Sequence, residues 1–288
     1  MKRLIVNADD FGYTRSVNLG IVRAFQEGIV TSTTIMANGA AFNDAVEHAK
    51  ANPELGIGCH LVLVGGQCVA AAKDIRSLAD GEGNLPATLP ALVKKLSAGA
   101  IKHEEIAVEL RAQMAKVISA GIQTTHLDSH KHTHSHPRVM EQVARVAEEF
   151  GIRRIRKPFE DFGSLIALAF RNGSRWWSRN AAAILAHGAA PAFRRIVHDH
   201  HLVTPEHFWG VAATGTLNRG TILSMISSMP EGVNELMCHP GHCDKELEQS
   251  NTRLKQERER ELEALIEPGV RAALKQQHVE LINYRGLN

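Results

Sequence analysis

The sequence predicts an α/β fold assembled from parallel strand–helix units, and two observations carry that prediction. Short β-branched and apolar runs alternate with segments of helical periodicity along the 288 residues, the pattern of βαβ units. The polar clusters Asp9/Asp10, His60, the histidines of 126–136, and His239 all fall at or just past the ends of predicted strands. Parallel α/β folds place their sites at the carboxyl ends of their strands.

The elements follow in order. Residues 4–6 are an apolar run ending in Asn-Ala-Asp-Asp-Phe-Gly, a buried strand with a polar end. Residues 16–27 carry Val17, Ile21, Ala24 and Phe25 at helical spacing, with Gly28 as C-cap. Residues 29–36 are β-branched and read as a strand. Residues 41–51 form a helix stopped by Asn52-Pro53, and 55–63 form a strand holding His60. Gly81, Gly83, Pro86 and Pro90 mark a loop-rich insertion over about 70–100. Residues 104–120 are helical through Ile106, Leu110, Met114, Val117 and Ile118. A strand at 124–128 feeds the histidines, and Pro137 opens a helix through Val139, Val143, Val146 and Phe150 that Gly151 closes. Residues 153–156 are a short strand, 164–193 a helical stretch within an insertion over about 160–200, and 222–229 a short helix. The strand 235–238 ends in His239-Pro240-Gly241-His242, a charged helix covers 246–264, and 279–284 is the last strand. No internal repeat or low-complexity linker interrupts the chain, so 1–288 reads as a single domain.

The chain is 44% hydrophobic and 22% charged, a globular balance. Lys plus Arg total 33 against 31 Asp plus Glu, so charge gives no pointer to nucleic acid. The four cysteines form no C-x-x-C pair and no disulfide scaffold, which suits a reducing, cytoplasmic compartment. The N-terminus meets an acidic pair before a signal-peptide core develops, and no apolar run reaches transmembrane length.

Five histidines, at 126, 130, 132, 134 and 136, crowd into eleven residues. Imidazole is the commonest metal ligand and the usual acid or base near neutral pH. In a fully extended strand His126 and His130 would stand roughly 13 Å apart. The strand must therefore bend near Asp128-Ser129, or only one of the two is a ligand. Asp128 is placed to hold a ring N–H and fix a tautomer. Asp9 and Asp10 point to opposite faces in a regular strand, but a turn at the strand end would let one bind a cation while the other takes a proton. A plain turn or helix-cap pair is the alternative. His60 alone would read as a satisfied core histidine. His239 fits no structural zinc spacing and reads as an acid or base. Together these residues suggest one carboxylate and two imidazoles on a divalent cation with open positions.

The motifs Asn7-Ala8-Asp9-Asp10-Phe11-Gly12, Val30-Thr31-Ser32-Thr33-Thr34, Gly58-x-His60-Leu61-x-Leu63, Thr125-His126-Leu127-Asp128-Ser129-His130-x-His132 and Cys238-His239-Pro240 resemble, in that order and over nearly the whole chain, the YdjC-like carbohydrate deacetylase family. Its best-known members are chitooligosaccharide deacetylases. The resemblance implies a (β/α) barrel-like fold, a distorted TIM-type barrel related to polysaccharide deacetylases. It implies hydrolysis of the N-acetyl group of an amino sugar with one divalent metal, Mg2+ first and Zn2+ second. Carried over, Asp10, His60 and His130 would be the metal ligands, Asp9 the catalytic base and His239 the acid or oxyanion partner. His126, Asp128, His132 and Arg156 would bind substrate or support the ligands. The expected partner is a small amino-sugar substrate, with no nucleic acid and no transmembrane segment, in a homodimer.

The region after Asp161 departs from the disaccharide enzymes. Arg171, Arg175 and Arg179 recur at spacings of four beside Trp176 and Trp177, a basic and aromatic stripe suited to a lipid interface. Members associated with hopanoid biosynthesis have a similar stretch, so an N-acetylglucosaminyl lipid, met at the inner membrane face, is an alternative substrate. Packing of the tryptophans in a core is the alternative for the stripe. For the chain as a whole, a metal-dependent phosphoesterase or a non-catalytic metal-binding protein are the rival readings.

Overall fold

The computed structural model describes residues 1–160 and 187–288. Among them, seven strands form one sheet: β1 (Lys2–Phe11), β2 (Ser32–Ile35), β3 (Gly56–Leu61), β4 (Leu127–Ser129), β5 (His207–Trp209), β6 (Gly232–Cys238) and β7 (Val279–Leu281). Their order is β4-β3-β2-β1-β6-β5, with β7 on β1, and every pairing is parallel. β1 is the hub. β6 runs along one edge of it from Lys2 to Ala8, while β7 and β2 share the other edge, at residues 2–4 and from Asn7 onward. Beyond β4 the sheet continues through the parallel bridges Leu127↔Ile155 and Arg154↔Val203, and the chain from Val203 runs on into β5. The sheet therefore curls back on itself, giving the barrel-like α/β form expected from the sequence.

The described helices are α1 (Arg15–Gln26), α2 (Phe42–Ala51), α3 (Leu89–Ser97), α4 (His103–Ser119), α5 (Pro137–Glu149), α6 (Ala190–Asp199), α7 (Arg219–Ser228), α8 (Lys245–Gln249), α9 (Gln256–Ile266) and α10 (Pro268–Gln276). Local chemistry sets their ends. Thr14 caps α1 by accepting from the N–H of Val17. Pro137 opens α5, and Gly151, at φ +68°, follows its end. The buried stripes of α1, α4 and α5 and the sheet strands share one apolar cluster.

Several elements differ from the sequence expectation. β1 runs on through Asp9 and Asp10. The strand expected over 29–36 shortens to β2, and that over 153–156 is reduced to the two bridges. The loop-rich insertion holds α3, whose Pro90 sits in the first turn, where a missing N–H costs nothing. The charged run 246–264 is two helices, broken where Ser250 becomes extended. The helix α10, opened by Pro268 under a Glu267 cap, has no counterpart in the sequence expectation. Three-residue β5 is too short for a periodicity to show. Of the insertion over 160–200, α6 is described; Trp176, Trp177 and the arginine stripe lie outside the described residues. No described helix is long and apolar enough to cross a membrane.

Candidate functional site

The site begins with an irregularity in β1. Between Ala8↔Thr33 and Phe11↔Ile35, β1 advances three residues while β2 advances two. Asp10, at φ +71°, takes up the extra residue. Such a bulge re-aims side chains and puts a non-glycine residue in the sparsely populated left-handed region. It defeats the strand alternation that would send Asp9 and Asp10 to opposite faces, and both line one cavity of about 1060 Å³ with His60, His130 and His239.

Asp10, His60 and His130 bring three donor atoms together. Asp10 Oδ1 lies 3.4 Å from His60 Nε2 and 3.2 Å from His130 Nδ1. That oxygen is buried and has no hydrogen-bond partner. Three acceptor-type atoms within 4.8 Å of one another, one an orphaned carboxylate oxygen, fit a divalent cation. Among the described residues, the carboxyl groups of Asp9, Asp10, Asp128 and Glu235 face two guanidiniums, Arg156 and Arg258. Burial works against ionisation of Asp10, but the Arg258 guanidinium holds its carboxyl well below the usual range. His60 is oriented through its other nitrogen. Nδ1 donates to Asp128 Oδ1 at 2.7 Å, which leaves Nε2 for a cation. The register pairs His60 with Asp128 across β3 and β4.

Arg156 organises the second half of the site. It is fully buried, and its nitrogens reach both oxygens of Asp9 at 2.7 Å, Asp128 Oδ2 at 2.7 Å and Glu235 Oε1 at 2.8 Å. Asn7 Nδ2 adds a bond to Asp9 Oδ1 at 3.0 Å. Burial would raise the Asp9 pKa, but Arg156 outweighs it and holds the carboxyl far below its ordinary value.

The crowded histidines separate by role. The strand ends at Ser129, and His130 opens a short 3-10 segment in which Lys131 and His132 are left-handed. His126 does not meet His130. It is fully buried and stacked on Tyr284 with ring centroids 3.6 Å apart. Asn7 spends its amide N–H on Asp9, so its oxygen accepts from His126 Nε2 at 3.0 Å; Nδ1 meets Thr125 Oγ1 at 2.8 Å. Both ring nitrogens are used, so His126 supports the Asn7–Asp9 pair. His134 fastens the segment: Nε2 donates to the Arg156 carbonyl at 3.2 Å and Nδ1 accepts from Ser129 Oγ at 2.5 Å. Burial lowers its pKa to about 3. His136 caps α5. His132 lines the cavity with an unpartnered Nδ1.

His239 faces the cavity from the end of β6. Burial lowers its pKa to about 4 despite the nearby Asp9 and Asp10, so the ring is neutral at neutral pH. Its Nδ1 has no hydrogen-bond partner and stands 3.9 Å from Glu261 Oε2, too far for a hydrogen bond. The same Oε2 accepts the backbone N–H of His239 at 2.6 Å.

Arg258, Glu235 and Glu261 carry much of the electrostatics and were not picked out from the sequence. A signal existed for two of them. Arg258 and Glu261 share the inward face of α9 with Leu262 and Leu265, so charges occupy positions where the spacing asks for apolar side chains.

A family model described as YdjC-like protein matches residues 3–276. A carbohydrate deacetylase of Geobacillus stearothermophilus is 36% identical over 282 residues, covering 98% of this chain and 96% of that one. A chitooligosaccharide deacetylase of Yersinia enterocolitica is 32% identical over 289 residues, covering 98% of each chain. Among solved structures, a candidate cellobiose-phosphate cleavage protein of Enterococcus faecalis V583 superposes with a TM-score of 0.79 at 25% identity, covering 99% of this chain and 98% of that one.

Proposed function

The chain belongs to the YdjC-like protein family, and from that premise we propose that it is a metal-dependent carbohydrate deacetylase. It removes the acetyl group from an N-acetylated amino sugar, a chitooligosaccharide or another N-acetylglucosamine-containing glycan. One observation carries the reading: the converging donor atoms of Asp10, His60 and His130 share a cavity wall with Asp9, whose ionised form Arg156 favours, and with His239, whose neutral form burial favours.

A divalent cation in this centre supplies Lewis acidity toward the acetamide carbonyl and lowers the pKa of water. The chain supplies the rest. Asp128 fixes the His60 tautomer, and Arg156 with Asn7 locks the orientation of Asp9. Asp9, which Arg156 and Asn7 hold in place, takes the proton of the attacking water. His239 gives a proton to the departing amine. Because the ring starts neutral, the proton that Asp9 took from the water must pass to it before it gives one to the amine, and Glu261, 3.9 Å from Nδ1, stabilises the imidazolium.

The direct test is acetate release from N-acetylglucosamine, chitobiose and an N-acetylglucosaminyl lipid by the ion-loaded protein. Asp9→Asn keeps the shape of the side chain but not its basicity. It is expected to bind the ion normally and to lose turnover by roughly 10²–10⁴-fold. Near-normal turnover in that variant would make Asp9 a structural residue.

A further inference from the structure

Asp10 has two oxygens, and the fold commits them differently. Oδ1 converges with His60 and His130. Oδ2 is held by Arg258 Nη2 at 2.6 Å, a short charge-assisted bond. The guanidinium cannot easily swing away. Arg258 is 1% exposed, its Nε donates to the Leu254 carbonyl at 3.2 Å, and its guanidinium carbon lies 5.8 Å from the Tyr13 ring centroid. Its Cδ is packed so close to Gly241 that a Cβ there would lie 3.2 Å away. Asp10 can therefore offer a cation only one oxygen.

That restriction sets the donor set at two imidazole nitrogens and one carboxylate oxygen. Magnesium and calcium prefer oxygen ligands, and calcium commonly takes a carboxylate through both oxygens. Imidazole-rich sets suit zinc and its first-row neighbours. We propose that Arg258, by occupying the second oxygen of Asp10, makes this centre discriminate against calcium, which gains from taking a carboxylate through both oxygens, in favour of a smaller ion held through one. The proposal rests on Asp10, His60 and His130 being the ligands; it does not depend on which bond the enzyme cleaves.

The test is direct binding of Zn²⁺, Mg²⁺ and Ca²⁺ to the full chain, by calorimetry and chelator competition, in the wild type and Arg258→Met. The charge of Arg258 repels every divalent ion alike, so it cancels in a ratio of affinities. What remains in the ratio is the freed oxygen. The Zn²⁺:Ca²⁺ affinity ratio is expected to fall by about tenfold or more in the variant, the scale on which partners of metal ligands act, while the Zn²⁺:Mg²⁺ ratio, for two ions that each take one carboxylate oxygen, stays within a few-fold. Arg258→Lys keeps a buried cation whose ammonium can still donate to that oxygen, so its ratio is expected to stay near the wild type's; a fall as large as the methionine variant's would overturn the proposal. An unchanged Zn²⁺:Ca²⁺ ratio in the methionine variant, or displacement of Zn²⁺ from the wild type by millimolar Ca²⁺, would overturn the proposal and leave the ligand assignment standing. Failure of the wild type to bind any of the three ions would overturn the ligand assignment itself.

Discussion

Arg156 shows how much rests on single residues. One buried guanidinium faces three carboxyl groups, those of Asp9, Asp128 and Glu235. Removing one partner of a buried ion network strands the others in low dielectric. Arg156→Met should therefore destabilise the protein by about 3–5 kcal/mol, read from urea unfolding; a loss under about 1 kcal/mol would mean the carboxyls neutralise one another by sharing protons. Glu261 gives a pH-dependent counterpart. Burial pushes its carboxyl up to about 7, against the N–H groups of His239 and Gly215 that favour the ionised form. Between its ordinary value of 4.5 and about 7, the folded protein holds a proton that the unfolded chain has released. Its contribution to stability is then full below the lower value and is lost as pH rises through the upper one. Wild-type stability minus that of Glu261→Gln, measured near pH 5 and near pH 8, should fall with rising pH. A flat or rising difference would show Glu261 ionised throughout.

At the scale of elements, the site depends on a helix lying close to a loop. A Cβ on Gly20 of α1 would stand 2.4 Å from the Cα of Gly241. The loop is also tied to α1 by the His242 N–H on the Ser16 carbonyl at 3.1 Å, and to α9 by the Gly241 N–H on the Arg258 carbonyl at 3.3 Å. Backbone cannot yield as a side chain does, so Gly20→Ala must shift the loop that carries His239. The expected cost is about 1–3 kcal/mol of stability, the range for overpacking, together with a lower turnover number. Gly81→Ala, where a Cβ meets nothing within 4 Å, serves as the control. Equal behaviour of the two variants would show that α1 does not position the loop. The same close fit recurs where Gly58 of β3 leaves room for the His126 ring, which a Cβ would approach to 2.5 Å.

At the scale of the whole molecule, the proposed ligands come from β1, β3 and the segment after β4, so an ion would tie together strands far apart in the chain. Ion at about 100 times its dissociation constant should raise unfolding free energy by about 2.7 kcal/mol, and Asp10→Ala should show no such response in denaturant titrations. A response that survives in the variant would place the stabilising ion elsewhere. The alternation of strands and helices, and the gathering of Asp9, Asp10, His60, His130 and His239 at strand ends, were legible in the sequence alone. Both are written in local periodicity and in the polar residues that end each apolar run. Which histidine does what was not legible. His126 and His130 have the same side chain four residues apart, and only the pairing of β4 with its neighbours sends one to Asn7 and Tyr284 and the other to Asp10. The bond from Arg258 to Asp10 spans 248 residues. No periodicity reaches that far, because partners across a sheet are chosen by how helices and strands pack, and that choice was made only by the tertiary structure.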